Sequence, residues 1–182
     1  MRTISIFKTC RNGWIRKPIL AKNFQHWLID MGSLTRRLQQ RYSQFSVNPI
    51  SVQYEQLLSD EAQLLQLRSF QHALVRDVLL LGDQSAVVYA HSILPRYSLR
   101  GVWCSLGKLG NKPLGATLFS NPKVKRTPLS YKKLMPNHRL FKRACYHLNQ
   151  EPTHLWARRS IFTLNSTNIL VTEVFLPKLL QK

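Results

Sequence analysis

Two charged residues interrupt apolar runs that have the period of a strand. Arg76 lies in Ala-Leu-Val-Arg-Asp-Val-Leu-Leu-Leu, and alternation places it on one face with Leu74, Val78 and Leu80. Glu173 lies in Ile-Leu-Val-Thr-Glu-Val-Phe-Leu and shares a face with Ile169, Val171 and Phe175. A charge on an apolar face is costly to bury without a partner. Three arrangements satisfy that cost. The two residues could pair with each other or with a neighbour such as Asp77. They could stand at exposed strand ends. Or they could mark opposite ends of a closed, mostly apolar pocket. In the third case the Arg fork would hold a carboxylate through two parallel bonds. The buried carboxylate would hold a hydroxyl or accept its proton. A flat ring with a carboxylate and a hydroxyl para to each other would fit between them.

Other chemistry finds less support. Cys145, His147 and Glu151 are close in sequence, but no second cluster completes a zinc motif, so no metal is expected. No glycine-rich phosphate loop and no Gly-x-Ser-x-Gly elbow is present. The remaining histidines are scattered, and the four tryptophans read as core. Trp156 beside Arg158 and Arg159 has the look of a nucleic-acid patch.

The pattern predicts elements able to carry Arg76 and Glu173. Phe24, Trp27, Leu28 and Met31 follow helical spacing over 21–31, with Gly32 as the C-cap. Ser33 is placed to cap a second helix running to about Tyr42. Ile50, Val52 and Tyr54 alternate as a strand with one wet face, and the leucine-rich segment Leu57 to Leu67 reads as helical. Residues 73–81 and 86–94 are strands joined by Gly82-Asp83-Gln84-Ser85. Val102, Leu106 and Leu109 suggest a short helix ending at Gly110, and Pro113 starts another. Residues 120–150 are the least regular. Leu155 to Leu164 and Ile169 to Leu176 form a second hairpin around Asn165-Ser166-Thr167-Asn168. Early helices and later strands predict an α+β domain on an antiparallel sheet, with no linker and one domain over 1–182.

Composition narrows the setting. At 44% hydrophobic content, 182 residues suit one domain with a real core. Cys10, Cys104 and Cys145 are odd in number and widely spaced, which favours a reducing compartment over a disulfide framework. No apolar stretch is long enough to span a bilayer, and Met1 to Cys10 lack the features of a secretory signal. The first 29 residues are basic and acid-free, in the manner of a targeting peptide, but the helix from near Ala21 reads as core. The net charge is +19, and twelve Lys and Arg with no acid lie between Gln84 and Gln150. Such a surface could hold nucleic acid or an anionic membrane, or draw in a small dianion.

Five segments resemble the chorismate lyase family. They are Gly-Ser-Leu-Thr-Arg-Arg-Leu at 32–38, Val-Arg-Asp-Val-Leu-Leu at 75–80 and Leu-Gly-Asn-Lys-Pro-Leu-Gly at 109–115, then Leu-Trp-Ala-Arg-Arg-Ser at 155–160 and Val-Thr-Glu-Val-Phe-Leu-Pro at 171–177. Their order and spacing are compatible with the family over residues 25–177. The resemblance implies a single antiparallel β-sheet flanked by helices, with a core at about 20–178 and the ligand under helical flaps. It implies a cofactor-free, monomeric, cytoplasmic lyase. Such an enzyme removes pyruvate from chorismate and leaves 4-hydroxybenzoate for ubiquinone synthesis. It implies that Arg76 grips the ring carboxylate and that Glu173 meets the hydroxyl end. Leu34 and Leu114 would line the pocket and offer backbone N–H groups. Leu34 stands where one member has Met, and His91 stands where an arginine is expected. The resemblance places the Trp156 segment in the sheet, not in a nucleic-acid surface. A non-catalytic ligand sensor of the same fold is the nearest alternative, and a basic nucleic-acid-binding protein the next. Such sensors usually carry a separate DNA-binding domain, for which 182 residues leave no room.

Overall fold

The computed structural model describes residues 13–181 apart from 69 and 109. Cys10 and Leu109 therefore lie outside the described residues. Seven strands form one antiparallel sheet. They are β1 (Phe45–Gln56), β2 (His72–Gly82), β3 (Ser85–Leu94), β4 (Lys125–Arg126), β5 (Ser130–Leu134), β6 (Leu155–Leu164) and β7 (Thr167–Phe175). The order across the sheet is β1-β2-β3-β7-β6-β4, and β5 pairs with another stretch of β6. Helices cover both faces: α1 (Gln25–Leu28), α2 (Leu34–Arg41), α3 (Ser59–Leu64), α4 (Arg96–Leu99), α5 (Leu114–Ser120) and α6 (Arg139–Cys145). Among the described residues no helix is long and apolar enough to cross a membrane.

Both predicted hairpins form, with tighter turns than the sequence suggests. Asp83 and Gln84 take positive φ (45° and 66°), as do Asn165 and Ser166 (47° and 60°). Two consecutive left-handed residues match the right-handed twist of the flanking strands. Gly82 then pairs with Ser85, and Leu164 with Thr167, so the strands run almost to the tips.

The helical expectations need shortening. The segment 21–31 is a 3-10 turn at Lys22–Phe24 followed by the four-residue α1, and Gly32 does not cap it. The physical reason lies in β6. Nη1 of Arg158 donates to the carbonyls of Trp27, Leu28 and Asp30 at 2.8, 3.3 and 2.6 Å. Those carbonyls are satisfied by a guanidinium instead of by a further helical turn. The Leu57–Leu67 segment contributes only the six residues of α3. The stretch 120–150, read as irregular, contains β4, β5 and α6.

The predicted faces of β2 and β7 are observed, but the apolar set Ile50, Val52 and Tyr54 expected to face the core from β1 is exposed on this edge strand. Leu34 and Leu38 of α2 pack with Val78, Leu80, Val88 and Trp156 on one face of the sheet. Leu140, Phe141 and Ala144 of α6 pack with Tyr89, Ala157 and Val174 on the other. Ala62 and Leu65 join Ala73, Val75 and Ile93 on that second face. Fully burying each large aliphatic side chain contributes about 1.5–3 kcal/mol.

Candidate active site

Arg76, Leu34, Leu114 and Glu173 all line one cavity between the sheet and the first turns of α2 and α5. Its floor is Val78, Leu80, Ala90, Ser92, Phe162 and Val171, and its cover includes Thr35, Gly115, Leu118 and Phe119. The mostly apolar wall carries a cation on β2 and a carboxylate on β7.

Arg76 is 3% exposed. Its Nη2 donates to the carbonyls of Gly110 and Lys112 at 2.9 and 3.0 Å, in the loop that leads into α5. Its Nε is buried without a hydrogen-bond partner. Among the described residues no carboxylate lies within ion-pair range of this guanidinium. Burial lowers its pKa from the ordinary arginine value. A cation left in this state is short of an anion.

Glu173 has a different environment. Arg158, on the adjacent position of β6, donates from Nε to Glu173 Oε2 at 2.5 Å. Arg158 is 1% exposed and lies over the ring of Phe175. The same side chain thus braces Glu173 and fastens the 27–30 segment that precedes α2. Arg126 adds a second brace, donating from Nη1 to the carbonyl of Met31 at 2.8 Å.

Leu34 and Leu114 are the first residues of α2 and α5. First-turn N–H groups have no partner within their helix and are available to an anion. The Ser33 side chain accepts from Arg36 N at 3.4 Å, as the sequence suggested. The two helix starts come close together. A Cβ at Gly115 would stand 2.9 Å from Thr35 Oγ1.

Of the three arrangements open to the two charged residues, their mutual pair is not formed, although Glu173 does pair with a neighbour, Arg158. Asp77 points to the opposite face, where Oδ1 meets His91 Nδ1 at 2.6 Å and Oδ2 accepts from Arg143 Nη1 at 3.0 Å. His91 therefore faces away from the cavity. Its Nε2 lies 3.3 Å from Glu61 Oε1, an ion-pair contact without hydrogen-bond alignment. Burial opposes protonation of His91, but the hydrogen bond to Asp77 and the charges of Glu61 and Asp77 outweigh it and push its pKa up to about 10. Burial raises the Asp77 pKa, but His91 and then Arg143 outweigh that and hold it below the usual range. Trp156, Arg158 and Arg159 are all buried, so they form no surface patch. The sequence singles out Arg158 only as part of a possible nucleic-acid patch, and Arg126 not at all. A run of two arginines reads as surface charge, and their partners are mostly backbone carbonyls far away in sequence.

Residues 11–182 match the family model described as chorismate lyase. The chain belongs to the chorismate lyase family. A probable chorismate pyruvate-lyase of Methylobacillus flagellatus is 45% identical over 171 residues, which is 94% of this chain and 96% of that protein. Proteins of the same name match from Nitrosospira multiformis at 52% identity (85% and 87% covered) and Nitrosomonas europaea at 48% (90% and 93%). Among solved structures, the effector domain of PhnF from Mycobacterium smegmatis superposes with a TM-score of 0.59 at 14% identity, covering 90% of this chain and 94% of that one. A GntR-family transcriptional regulator from Bacillus cereus gives 0.56 at 13% identity, over 75% and 94%. These last two likenesses show the chorismate lyase fold alone.

Proposed function

We propose that this chain is a one-domain lyase that converts chorismate to 4-hydroxybenzoate and pyruvate, with Arg76 and Glu173 at opposite ends of the substrate. The supporting observation is the unpaired, buried guanidinium of Arg76 across an apolar cavity from a braced carboxylate. Chorismate presents a ring carboxylate para to a hydroxyl-bearing carbon. Arg76 takes the carboxylate, aided by the N–H groups of Leu34 and Leu114. Glu173 orients the hydroxyl.

The reaction carries its own driving force. The bond between the ring and the enolpyruvyl oxygen breaks, and the oxygen leaves with the electron pair. The hydrogen on the neighbouring hydroxyl-bearing carbon departs as a proton, and its bonding pair completes the aromatic ring. The released enol takes up a proton and becomes pyruvate. No net redox change occurs, so the chemistry calls for no redox cofactor. The protein's task is to hold a dianion in the reactive conformation and keep water out. Glu173 is placed to assist proton movement at the hydroxyl end. A buried pocket fitted to the substrate also fits 4-hydroxybenzoate, so product release is expected to be slow.

The enzyme is expected to act in the cytoplasm as a monomer, with the lyase product entering ubiquinone synthesis. Purified chain mixed with chorismate alone tests the reading. Equal formation of 4-hydroxybenzoate and pyruvate is expected. A folded protein that binds 4-hydroxybenzoate but forms no product would instead be a sensor. Absence of ligand binding, with salt-dependent binding of nucleic acid, would favour the basic surface. A stable dimer in sedimentation would contradict the monomer.

A further inference from the structure

Arg126 is a second cation beside the cavity, packed against two of the rings that line it, and among the described residues no carboxylate pairs with it directly. It stands opposite Phe162 in the β4–β6 pair. Its Nε donates to Ser160 Oγ at 2.8 Å and its Nη1 to the Met31 carbonyl at 2.8 Å. Its Nη2 makes no hydrogen bond among the described residues, and no carboxylate is within ion-pair range. The guanidinium lies 5.4 Å from the ring centre of Phe119 and 5.1 Å from that of Phe162. Both rings line the cavity.

The position along the cavity is informative. Across the sheet Arg76 stands on β2, Glu173 on β7 and Arg126 on β4, beyond β6. Arg126 is therefore at the Glu173 end. Arg158 is also there, but its charge is matched by Glu173 and it holds three carbonyls. Arg126 is the cation with charge and a donor in reserve.

The chemistry of the substrate supplies the missing anion. Chorismate has two carboxylates. The enolpyruvyl ether is attached to the ring carbon next to the hydroxyl-bearing one. When Arg76 holds the ring carboxylate and Glu173 the hydroxyl, the enolpyruvyl carboxylate projects beside Glu173. We propose that Arg126 binds the enolpyruvyl carboxylate of chorismate and so distinguishes substrate from aromatic product. This assignment rests on the lyase reading. Once pyruvate has left, 4-hydroxybenzoate retains nothing for Arg126 to hold. Arg126 thus favours the substrate over the product that competes for the same cavity.

The test compares KM for chorismate with the inhibition constant of 4-hydroxybenzoate in the full-length chain, its R126Q variant and its R126K variant. Loss of a charge-assisted contact is expected to raise KM by roughly ten- to a hundredfold in R126Q. The inhibition constant is expected to change less than about threefold, because the product lacks that contact. R126K keeps the charge without the planar fork and is expected to fall between the two. It supplies the same ratio if R126Q folds poorly. KM and inhibition constant rising in step would show that Arg126 only ties Met31 to the sheet and would overturn the assignment, as would no change in either. A wild-type chain that forms no product would overturn the lyase reading itself.

Discussion

A buried guanidinium without a carboxylate is a net cost to the ligand-free fold, and Arg76 is such a group. Arg76→Met should therefore separate binding from folding. We expect KM for chorismate to rise by about a hundredfold or more, as hydrogen bonds to a charged group are each worth roughly 1.5–3 kcal/mol. The melting temperature should stay close to that of the wild type. An early-melting variant with an unchanged KM would assign Arg76 to the fold. Glu173→Gln keeps an oxygen to accept from Arg158 Nε but loses the charge. It should lower kcat by about a hundredfold, within the range of general acid–base contributions, and lower the melting temperature as well, because the buried Arg158 loses its countercharge. At this scale half of the site is legible in the sequence. Arg76 and Glu173 stand out because a charge interrupts an apolar alternation. Arg158 and Arg126 do not, because hydrogen bonds to the carbonyls of Trp27, Leu28, Asp30 and Met31 leave no mark on residue type.

The elements that cover the cavity are short, and their closeness matters more than their length. Gly115 lets α5 meet Thr35 of α2. In Gly115→Ala the added methyl would need to displace Thr35 Oγ1 or spread the two helices. We expect weaker affinity for 4-hydroxybenzoate by calorimetry, with the overall circular dichroism retained. Unaltered affinity would show that the cover adjusts freely. Strands were readable here and helices less so. A strand's alternation survives in sequence whatever its partners are. The 21–31 helix was overestimated because a guanidinium from β6 ends it, a contact that local periodicity does not contain. In 120–150 the apolar set Leu140, Phe141 and Ala144 of α6 was masked by the surrounding Lys, Arg, His and Pro.

Across the whole molecule, acids and bases are distributed very differently. Of the eight acidic residues, only Asp83 and Glu151 are exposed. Glu55, Asp60, Glu61 and Asp77 form ion pairs on the face opposite the cavity, with Arg139, Arg143, Arg159 and His91. The surface is left nearly all cationic. A dianionic substrate should then be steered inward, and kcat/KM should fall as ionic strength rises through the range where the Debye length shrinks from about 30 to 8 Å. A flat salt profile would remove steering from the account. The same internal network makes stability depend on pH. His91 has its folded pKa raised from 6.5 to about 10. Its contribution is complete below about 6.5 and is lost as pH rises through about 10. Melting temperature should fall across that window. The decline should be smaller in His91→Gln, which starts from a less stable fold. An identical decline in both would place the titrating group elsewhere.

Arg76 and Asp77 are neighbours in β2, yet one faces the cavity and the other the acid-rich layer behind the sheet. A slip of β2 by one residue would exchange them. Arg76 would then point at His91 and Arg143, and Asp77 would enter the cavity that holds Glu173. Like charges would meet out of water on both sides at once. Hydrophobic alternation alone punishes such a slip weakly here, because β2 is buried on both faces. The opposed charges supply the missing penalty. The residue proposed to receive the substrate would thus also proofread strand register while the chain folds, before any substrate is present.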